Sequence, residues 1–370
     1  MKKILVVGAG FAGSVISREL ANFGHKVHLV DERGHVGGNC HTERDKETDV
    51  MVHTYGPHIF NTSIPRVWDY VNKYGNWIPY VNRVKASVHQ GGVYSLPINL
   101  HTINQFFKTS FTPAEAKKYI NSLASTKYPE PANFEEQALS MIGKDLYKTF
   151  FKEYTKKQWG CSPKALPASI LKRLPVRFNY DDNYYSSKWQ AIPANGYTAI
   201  VEKILDHENI TVELNTSWSV SDNEPYDSIV YTGPIDRYFG YKHGRLGYRT
   251  VYWEKEYGRG DLQGTAVINY PSAKQAFTRI HEHKHFAPWE THDSSIIFTE
   301  FSKETTAQDI PYYPKRLPGD LKMLARYQAE AANQSKVKFA GRLGTYQYLN
   351  MDLVINQALE LSDSLCKELS

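Results

Sequence analysis

Cysteine and long apolar runs are scarce in this chain, and both scarcities exclude classes of protein. Its three cysteines, Cys40, Cys161 and Cys366, are far apart in the sequence and lack the spacing of a metal site. A disulfide framework is therefore excluded, and the thiols are expected to be free in a reducing compartment. No apolar stretch approaches 18 residues and no small-residue cleavage site follows the apolar N-terminal run, so we expect a cytoplasmic protein with neither membrane insertion nor signal peptide.

Clustered positive charge is also missing. Lys and Arg number 44 against 39 Asp and Glu, a formal charge of +5, and no basic block stands out. Duplex nucleic acid is not suggested as a partner. The chain of 370 residues, 41% apolar and 22% charged, has the composition of a globular protein of two or three domains. Scattered basic residues fit a small anionic substrate instead.

The N-terminus contains a nucleotide-binding pattern. An apolar run, Lys3 to Val7, leads into Gly8-Ala-Gly-Phe-Ala-Gly13 and a helix-like stretch, and a second run ends on Asp31. Gly8 permits the turn, Gly10 lets a pyrophosphate approach together with Phe11 at the helix start, and Gly13 lets helix and strand pack closely. Asp31 is expected to accept hydrogen bonds from a ribose diol and to repel a 2′-phosphate.

A second glycine-rich segment follows at once. Arg33, Gly38 and Asn39 lie in Glu32-Arg-Gly-His-Val-Gly-Gly-Asn39, which resembles the second signature of the FAD-binding glutathione reductase and amine oxidase superfamily. The cofactor expected from the two motifs is FAD. The chain contains no second GxGxxG for a nicotinamide nucleotide, so reducing equivalents are expected from transient contact with NAD(P)H or from another protein.

The rest of the chain alternates between helix-like and strand-like stretches. Helices are predicted within 99–159, with a capping box at Asn133 and Glu136, over Gly196 to Leu205 and over Met351 to Glu368. Strands are predicted at 210–214 and 228–232, and 176–185 and 251–297 are predicted to contribute to a mostly antiparallel sheet.

Longer motifs identify a family. They are Tyr55-Gly-Pro-His-Ile-Phe, Pro79-Tyr-Val-Asn-Arg-Val, Phe134-Glu-Glu-Gln-Ala, Tyr154-Thr-Lys-Lys-Gln-Trp-Gly, Leu166-Pro-Ala-Ser-Ile-Leu-Lys-Arg-Leu-Pro-Val-Arg-Phe, Tyr231-Thr-Gly-Pro-Ile-Asp, Pro311-Tyr-Tyr-Pro and Gly341-Arg-Leu-Gly-Thr-Tyr. From end to end the chain resembles the UDP-galactopyranose mutases, which interconvert six- and five-membered ring forms of a nucleotide-linked hexose.

The resemblance implies an α/β fold with three parts. An FAD-binding Rossmann-like domain is expected at 1–80, 190–240 and 335–370, an inserted helical domain at 99–165, and an antiparallel sheet domain at 81–98, 166–189 and 241–334. It also implies a homodimer, and a product used for cell-surface polysaccharides such as lipopolysaccharide O-antigen. In the family, FAD is active in its reduced form, and flavin N5 is the nucleophile that displaces the nucleoside diphosphate.

Residue roles also follow from the resemblance. Arg173 and Arg279 are expected to bind the diphosphate, because a planar guanidinium pairs with phosphate oxygens, and His58 is expected beside the flavin. The other substrate-binding residues implied are Asn82, Phe150, Tyr154, Trp159, Tyr184, Asn269, Tyr313 and Tyr348. The other cofactor-binding residues implied are Arg342, Leu349, Asn350, Met351 and Asp352. No metal ligand is implied.

Two alternative activities and a second sugar stay open. Asn61 and Asn350 depart from the family pattern of His and Asp, and Trp189 replaces a smaller aromatic side chain, so the substrate is either UDP-galactose or a 6-deoxy relative such as dTDP-fucose. An amine-oxidase-like enzyme with net hydride transfer, or a non-catalytic nucleotide-sugar binding protein, would share the N-terminal domain.

Overall fold

A computed structural model describes residues 1–89, 91–172, 175–223 and 225–370. The strands are β1 (Lys3–Val7), β2 (Lys26–Val30), β3 (Thr42–Arg44), β4 (Met51–His53), β5 (Phe60–Thr62), β6 (Trp77–Pro79), β7 (Val84–Val88), β8 (Gly92–Leu96), β9 (Trp189–Pro193), β10 (Ile210–Glu213), β11 (Ser228–Tyr231), β12 (Tyr248–Arg259), β13 (Val267–Asn269), β14 (Arg279–Glu282), β15 (Ser294–Glu304), β16 (Tyr313–Pro314) and β17 (Val337–Phe339). The helices are α1 (Phe11–Asn22), α2 (Pro65–Val71), α3 (Leu100–Phe107), α4 (Pro113–Leu123), α5 (Phe134–Leu146), α6 (Glu153–Trp159), α7 (Ser169–Lys172), α8 (Gly196–Leu205), α9 (Ile235–Tyr238), α10 (Pro318–Ala331), α11 (Gly341–Gly344) and α12 (Met351–Glu368).

A parallel sheet forms the nucleotide-binding part. Its five strands run in the order β10-β2-β1-β11-β17, and every pair is parallel. Ile4 and Val6 of β1 are fully buried and Leu5 is 2% exposed, because the central strand of a parallel sheet is covered on both faces. Helix α1 packs against α8 and α12. The predicted α/β class is confirmed.

A second sheet of seven strands runs in the order β16-β12-β15-β14-β13-β7-β8. All its pairs are antiparallel except β13 with β7, which confirms the prediction of a mostly antiparallel sheet. Helices α3 to α7 lie between β8 and β9 in the chain, as an insertion. In the described part of the chain, no helix combines the length and apolarity needed to cross a bilayer.

Two local predictions are wrong. The segment 176–185 contains no strand, because its Asx side chains cap neighbouring backbone N–H groups, as when Asn183 Oδ1 accepts from the N–H of Tyr185 at 3.1 Å. The guanidinium of Arg177 also donates to the carbonyl of Tyr185 at 2.9 Å, which curls the segment. At α5, Asn133 Oδ1 accepts from the N–H of Glu136, but the Glu136 carboxylate accepts from Ala132 instead of Asn133.

A complete capping box occurs one helix earlier, at α4. Glu115 accepts from the N–H of Thr112 at 2.8 Å, and Thr112 Oγ1 accepts in return from the N–H of Glu115 at 3.5 Å. The signal was present in the sequence as a threonine followed by proline and, three residues on, glutamate.

Candidate functional site

A cavity of about 640 Å³ lies at the carboxyl edge of the parallel sheet. It begins where strands end, since Gly8, Asp31, Thr232 and Gly341 follow β1, β2, β11 and β17 closely. Ligands of open α/β sheets bind at this edge. The predicted cofactor residues that line the cavity are Gly8, Gly10, Phe11, Asp31, Arg33, Gly38, Asn39, His58, Arg342, Leu349 and Met351.

The glycine-rich turn brings α1 close to the sheet. Gly8 has φ of +108°, and a Cβ on Gly13 would come 1.9 Å from the Gly8 carbonyl oxygen. Gly13 therefore sets the distance between helix and strand without lining the cavity. Helix α1 has no side-chain cap at Gly10, so its first N–H groups meet the cavity without a capping oxygen and are suited to bind an anion.

Asp31 and Arg33 are tied into the turn. Asp31 Oδ2 accepts from the N–H of Ala9 at 2.7 Å and Oδ1 accepts from the N–H of Arg33 at 2.9 Å, which leaves further lone pairs for a ribose diol. The Arg33 guanidinium donates to Asn39 Oδ1 at 3.0 Å and lies over the ring of Tyr55. Its Nη1 is buried and has no partner among the described residues, as expected of a group that binds an anionic cofactor.

His58 borders the cavity as a neutral ring. Its Nδ1 donates to the Gly56 carbonyl at 2.7 Å, which assigns the proton to Nδ1 and leaves Nε2 as an acceptor. Burial, followed by the charge of Arg342, lowers the pKa of His58 to about 4. The loop is fixed by the N–H of His58, which donates to Nδ1 of the buried His53 at 3.1 Å.

Arg342 lies between this cavity and a cluster of tyrosines. It donates to the Leu349 carbonyl from Nη2 at 2.6 Å and lines the cavity, and its Cζ lies 5.8 Å and 5.4 Å from the ring centres of Tyr313 and Tyr348. The two rings stack with their centres 5.7 Å apart. Trp159 borders both rings and, with Tyr348, a second cavity of about 360 Å³.

Arg279 is the cation of this cluster. Its Nη2 lies 2.9 Å from Oε2 of the buried Glu300, and its Nε is buried without a partner in the described part of the chain. Burial disfavours both charges, but the pair outweighs it, so that the pKa of Arg279 is held well above its usual value and that of Glu300 at about 2. Burial raises the pKa of Tyr313 to about 12 and also raises the pKa of Tyr154, so both hydroxyls stay protonated donors.

The remaining predicted substrate residues lie in different surroundings. Asn269 lies opposite Arg279 in the β13–β14 pair. Asn82 accepts from the N–H of Tyr184 through its backbone carbonyl at 2.9 Å, and its buried Oδ1 lacks a partner among the residues that the structure describes. Phe150 is a core residue, 3% exposed, edge-on to Tyr94. Arg173 lies outside the described residues.

Helix α12 begins beside the cavity, and three of its predicted residues differ in placement. Met351 lines the cavity, whereas Asn350 is exposed at the N-cap position and its side chain accepts no capping hydrogen bond. An N-cap bond from the Asn350 side chain, expected from its residue type, is therefore absent. Asp352 does not line the cavity, and its buried Oδ1 has no hydrogen-bond partner within the described ranges.

Two of the three departures from the family pattern, Asn61 and Trp189, make contacts within the protein. Asn61 Oδ1 accepts from Ser187 Oγ at 2.9 Å, and its Nδ2 donates to the Ile59 carbonyl at 3.2 Å. Trp189 stacks on Trp68 with ring centres 5.8 Å apart.

Several cavity residues were missed from the sequence. They are Thr216, Trp218, Tyr231, Tyr241, Arg245 and the loop 305–311. Thr216 and Tyr231 could have been found from the ends of the predicted strands β10 and β11. The loop 305–311 gave no comparable signal, because it reaches the cavity from the other sheet.

A group of side chains with metal-ligand chemistry lies elsewhere. Ligand atoms of Asp261, Glu282 and His285 lie within 4.8 Å of one another. Glu282 already accepts from the N–H of Gln263 at 2.7 Å, from Ser295 Oγ at 2.6 Å and from the N–H of Leu262 at 2.9 Å. Those bonds make Glu282 the acceptor that fixes the turn after β12.

Comparisons with known proteins agree on one family. A sequence profile described as GLF, UDP-galactopyranose mutase, matches residues 149–348, and one described as an NAD(P)-binding Rossmann-like domain matches residues 6–74. The probable UDP-galactopyranose mutase of Klebsiella pneumoniae is 53% identical over 98% of this chain and 94% of its own length. The dTDP-fucopyranose mutase of Escherichia coli is 47% identical over 99% of each chain.

The fold agrees as well. A crystal structure of reduced UDP-galactopyranose mutase superposes with a TM-score of 0.77 at 18% identity, covering 100% of this chain and 94% of the other. With curated pyranose mutases as full-length relatives, the chain is an isomerase and belongs to the UDP-galactopyranose mutase family.

Proposed function

We propose that this protein interconverts the pyranose and furanose forms of a nucleotide-linked galacto-configured hexose, with FAD in the large cavity. The observation that carries the proposal is the position of Arg342, which lines the cavity and also packs on Tyr313 and Tyr348. A dinucleotide site is thereby continuous with a cluster that holds Arg279, a half-buried cation suited to a diphosphate.

The residues around the large cavity fit FAD. The uncapped start of α1 and the unpartnered Nη1 of Arg33 suit the cofactor diphosphate, Asp31 suits the ribose, and the apolar Leu349 and Met351 beside His58 suit the flavin ring. The chemistry that FAD supplies when bound and reduced is a nucleophilic ring nitrogen for the anomeric carbon. Asn350 and Asp352 remain proposals, supported by their place on either side of Met351, at the N-cap and in the first turn of α12.

The chain's own residues hold the leaving group. Arg279 donates one N–H to Glu300 and keeps Nε for a phosphate oxygen, so negative charge that develops on the diphosphate is met by a fixed cation. Tyr154 and Tyr313 stay protonated, so they donate to phosphate or sugar oxygens. We extend the proposal to Arg173, Asn82, Tyr184, Asn269, Trp159 and Phe150 on the family resemblance.

His58 acts as a neutral acceptor at the cavity wall. With its proton on Nδ1, bonded to Gly56, its Nε2 accepts a hydrogen bond from a hydroxyl or an N–H group in the cavity. Its pKa of about 4 keeps it uncharged at neutral pH, so it adds no positive charge against the cavity.

We propose UDP-galactose as the substrate in preference to dTDP-fucose. Asn61 satisfies both ends of its amide with Ser187 and Ile59, and Asn350 points to solvent, so the two departures call for no change of sugar. We further propose the three-domain division given above, a cytoplasmic homodimer, external NAD(P)H as reductant and a product used in cell-surface polysaccharides. These proposals are supported by the family resemblance.

The test is an incubation of the reduced protein with each nucleotide sugar in turn, followed by chromatographic separation of the ring forms. We expect UDP-galactofuranose to convert to UDP-galactopyranose with kcat/KM at least about tenfold above that for the dTDP-fucose pair, since one mismatched polar contact costs about 1 to 3 kcal/mol. Faster conversion of dTDP-fucose would reverse the substrate assignment. No ring interconversion of either sugar would contradict the proposed function.

A further inference from the structure

Lys157, on α6 between Tyr154 and Trp159, has a set of partners unusual for a lysine. Its Nζ lies within hydrogen-bond distance of four backbone carbonyl oxygens, those of residues 270, 272, 275 and 277, at 2.5, 2.9, 3.1 and 2.7 Å. An ammonium has three N–H donors, so the four carbonyls occupy all of them, with one donor shared. Charge-assisted bonds of this kind are about twice as strong as neutral ones.

The four carbonyls belong to one loop whose ends are site residues. The loop 270–278 joins β13 to β14, so Asn269 precedes it and Arg279 follows it. The strand ends are closed by the N–H of Tyr270, which donates to the Thr278 carbonyl at 2.8 Å. Beyond that bond, Lys157 binds the four carbonyl oxygens and so holds the loop against α6. Lys274, at the tip of the loop, is exposed.

Helix α6 is itself held firmly to the sheet. The buried Arg249 on β12 donates from Nε to the Gln158 carbonyl at 3.0 Å and from Nη2 to the Lys157 carbonyl at 3.2 Å. These bonds cap the C-terminal carbonyls of the helix with a cation. Lys157 therefore reaches the loop from a fixed support, and the same helix carries Tyr154, whose hydroxyl lies in the electrostatic field of Arg279.

We propose that Lys157 is a positioning residue, whose ammonium holds the 270–277 loop against α6 so that Asn269 and Arg279 are presented opposite Tyr154 before the nucleotide sugar binds. The inference rests on the proposed function for the role of Arg279. The bond network itself is independent of any substrate. The N–H donors of Lys157 are all taken by the loop, so its effect on a diphosphate acts through the position of Arg279.

The test compares Lys157→Met with Lys156→Met in the full-length holoenzyme. Lys156 is the matched control, since it is adjacent, its side chain is 42% exposed, and it pairs with Glu153 at 2.8 Å within α6. Two readouts are measured: the rate at which trypsin cuts after the exposed Lys274, followed as the peptide that begins at Gln275, and kcat and KM for the nucleotide sugar.

We expect Lys157→Met to be cut after Lys274 about tenfold faster than wild type, because a loop without its anchor opens locally at lower free energy. KM should rise about tenfold with a smaller change in kcat, while Lys156→Met matches wild type in both readouts. Lys157→Gln, which keeps two N–H donors, should be intermediate and covers the case in which the methionine variant fails to fold.

Three outcomes distinguish the loop-holding role of Lys157 from the proposed function of the protein. A wild-type cleavage rate after Lys274 and a wild-type KM in both Lys157 variants would refute the proposed role of Lys157 in holding the loop. A global rise in cleavage at all sites, with loss of bound FAD, would show a general stabilising role and would also overturn it. If cleavage becomes faster only after Lys274, and the wild-type protein converts no nucleotide sugar, the loop-holding role of Lys157 stands and the proposed function is refuted.

Discussion

At the residue scale, the sequence locates side chains well when their partners are local. The pattern predicts Gly8, Gly13 and Asp31 because strand, turn and helix follow one another within 31 residues. Gly8 and Asp31 line the cavity, and Gly13 lies at the close contact between α1 and β1. Glu300 was not predicted, although it fixes Arg279, because its partner is 21 residues away on a neighbouring strand. A lone glutamate in a strand gives no sign of such a pairing.

Arg279 provides the sharpest residue-scale prediction. Arg279→Ala removes the cation that we propose meets charge developing on the leaving diphosphate, so kcat/KM should fall about a hundredfold, or roughly 2 to 4 kcal/mol, as for other charge-stabilising donors. Steady-state kinetics with FAD content measured in parallel checks this. The control is Arg259→Ala, which changes an exposed arginine at the end of β12 and should leave kcat/KM unchanged. Near-normal turnover of Arg279→Ala would place the diphosphate elsewhere.

At the scale of elements, helices with their own boundary signals were predicted best. Helices α8 and α12 begin and end at the predicted residues, and strands β10 and β11 end within one residue of prediction. The segment 176–185 failed because β-branched and aromatic residues alone do not make a strand where Asx side chains compete for the backbone. The pairing of β13 with β7 is also long-range and had no sequence signal.

At the scale of elements, we predict that FAD binding depends on the close packing of α1 against β1. In Gly13→Ala, the new Cβ would fall 1.9 Å from the Gly8 carbonyl oxygen, so the helix start must move and the anion site with it. FAD content of the purified variant should drop to less than about a tenth of wild type, since a shifted helix no longer directs its N–H groups at the diphosphate. Absorbance of the flavin per mole of protein measures this.

Gly319→Ala is the matched glycine control, because a Cβ there meets no atom within 4 Å. It should bind FAD like wild type. A Gly13→Ala variant that binds as much FAD as wild type would show that the packing of α1 on β1 does not determine the geometry of the cofactor site.

At the scale of the whole molecule, the site is an assembly of distant segments. The parallel sheet supplies the edge at Gly8, Asp31 and Gly341, and the antiparallel sheet supplies Arg279. Arg342 joins the two through its contacts with the cavity and with Tyr313. The sequence indicated both halves through family motifs, but not the place where they meet, because that depends on how two sheets far apart in the chain pack together.

The central claim is that this assembly catalyses an isomerisation that needs reduced flavin but consumes no reductant. Its most direct test is to reduce the FAD-loaded protein anaerobically with a known amount of dithionite, add excess UDP-galactofuranose and count the UDP-galactopyranose formed per electron pair supplied. We expect many turnovers per electron pair, since the reaction has no net redox change, and little activity from the oxidised protein under air. One product per electron pair, or full activity of the oxidised protein, would contradict the account and favour an oxidoreductase of the amine oxidase type.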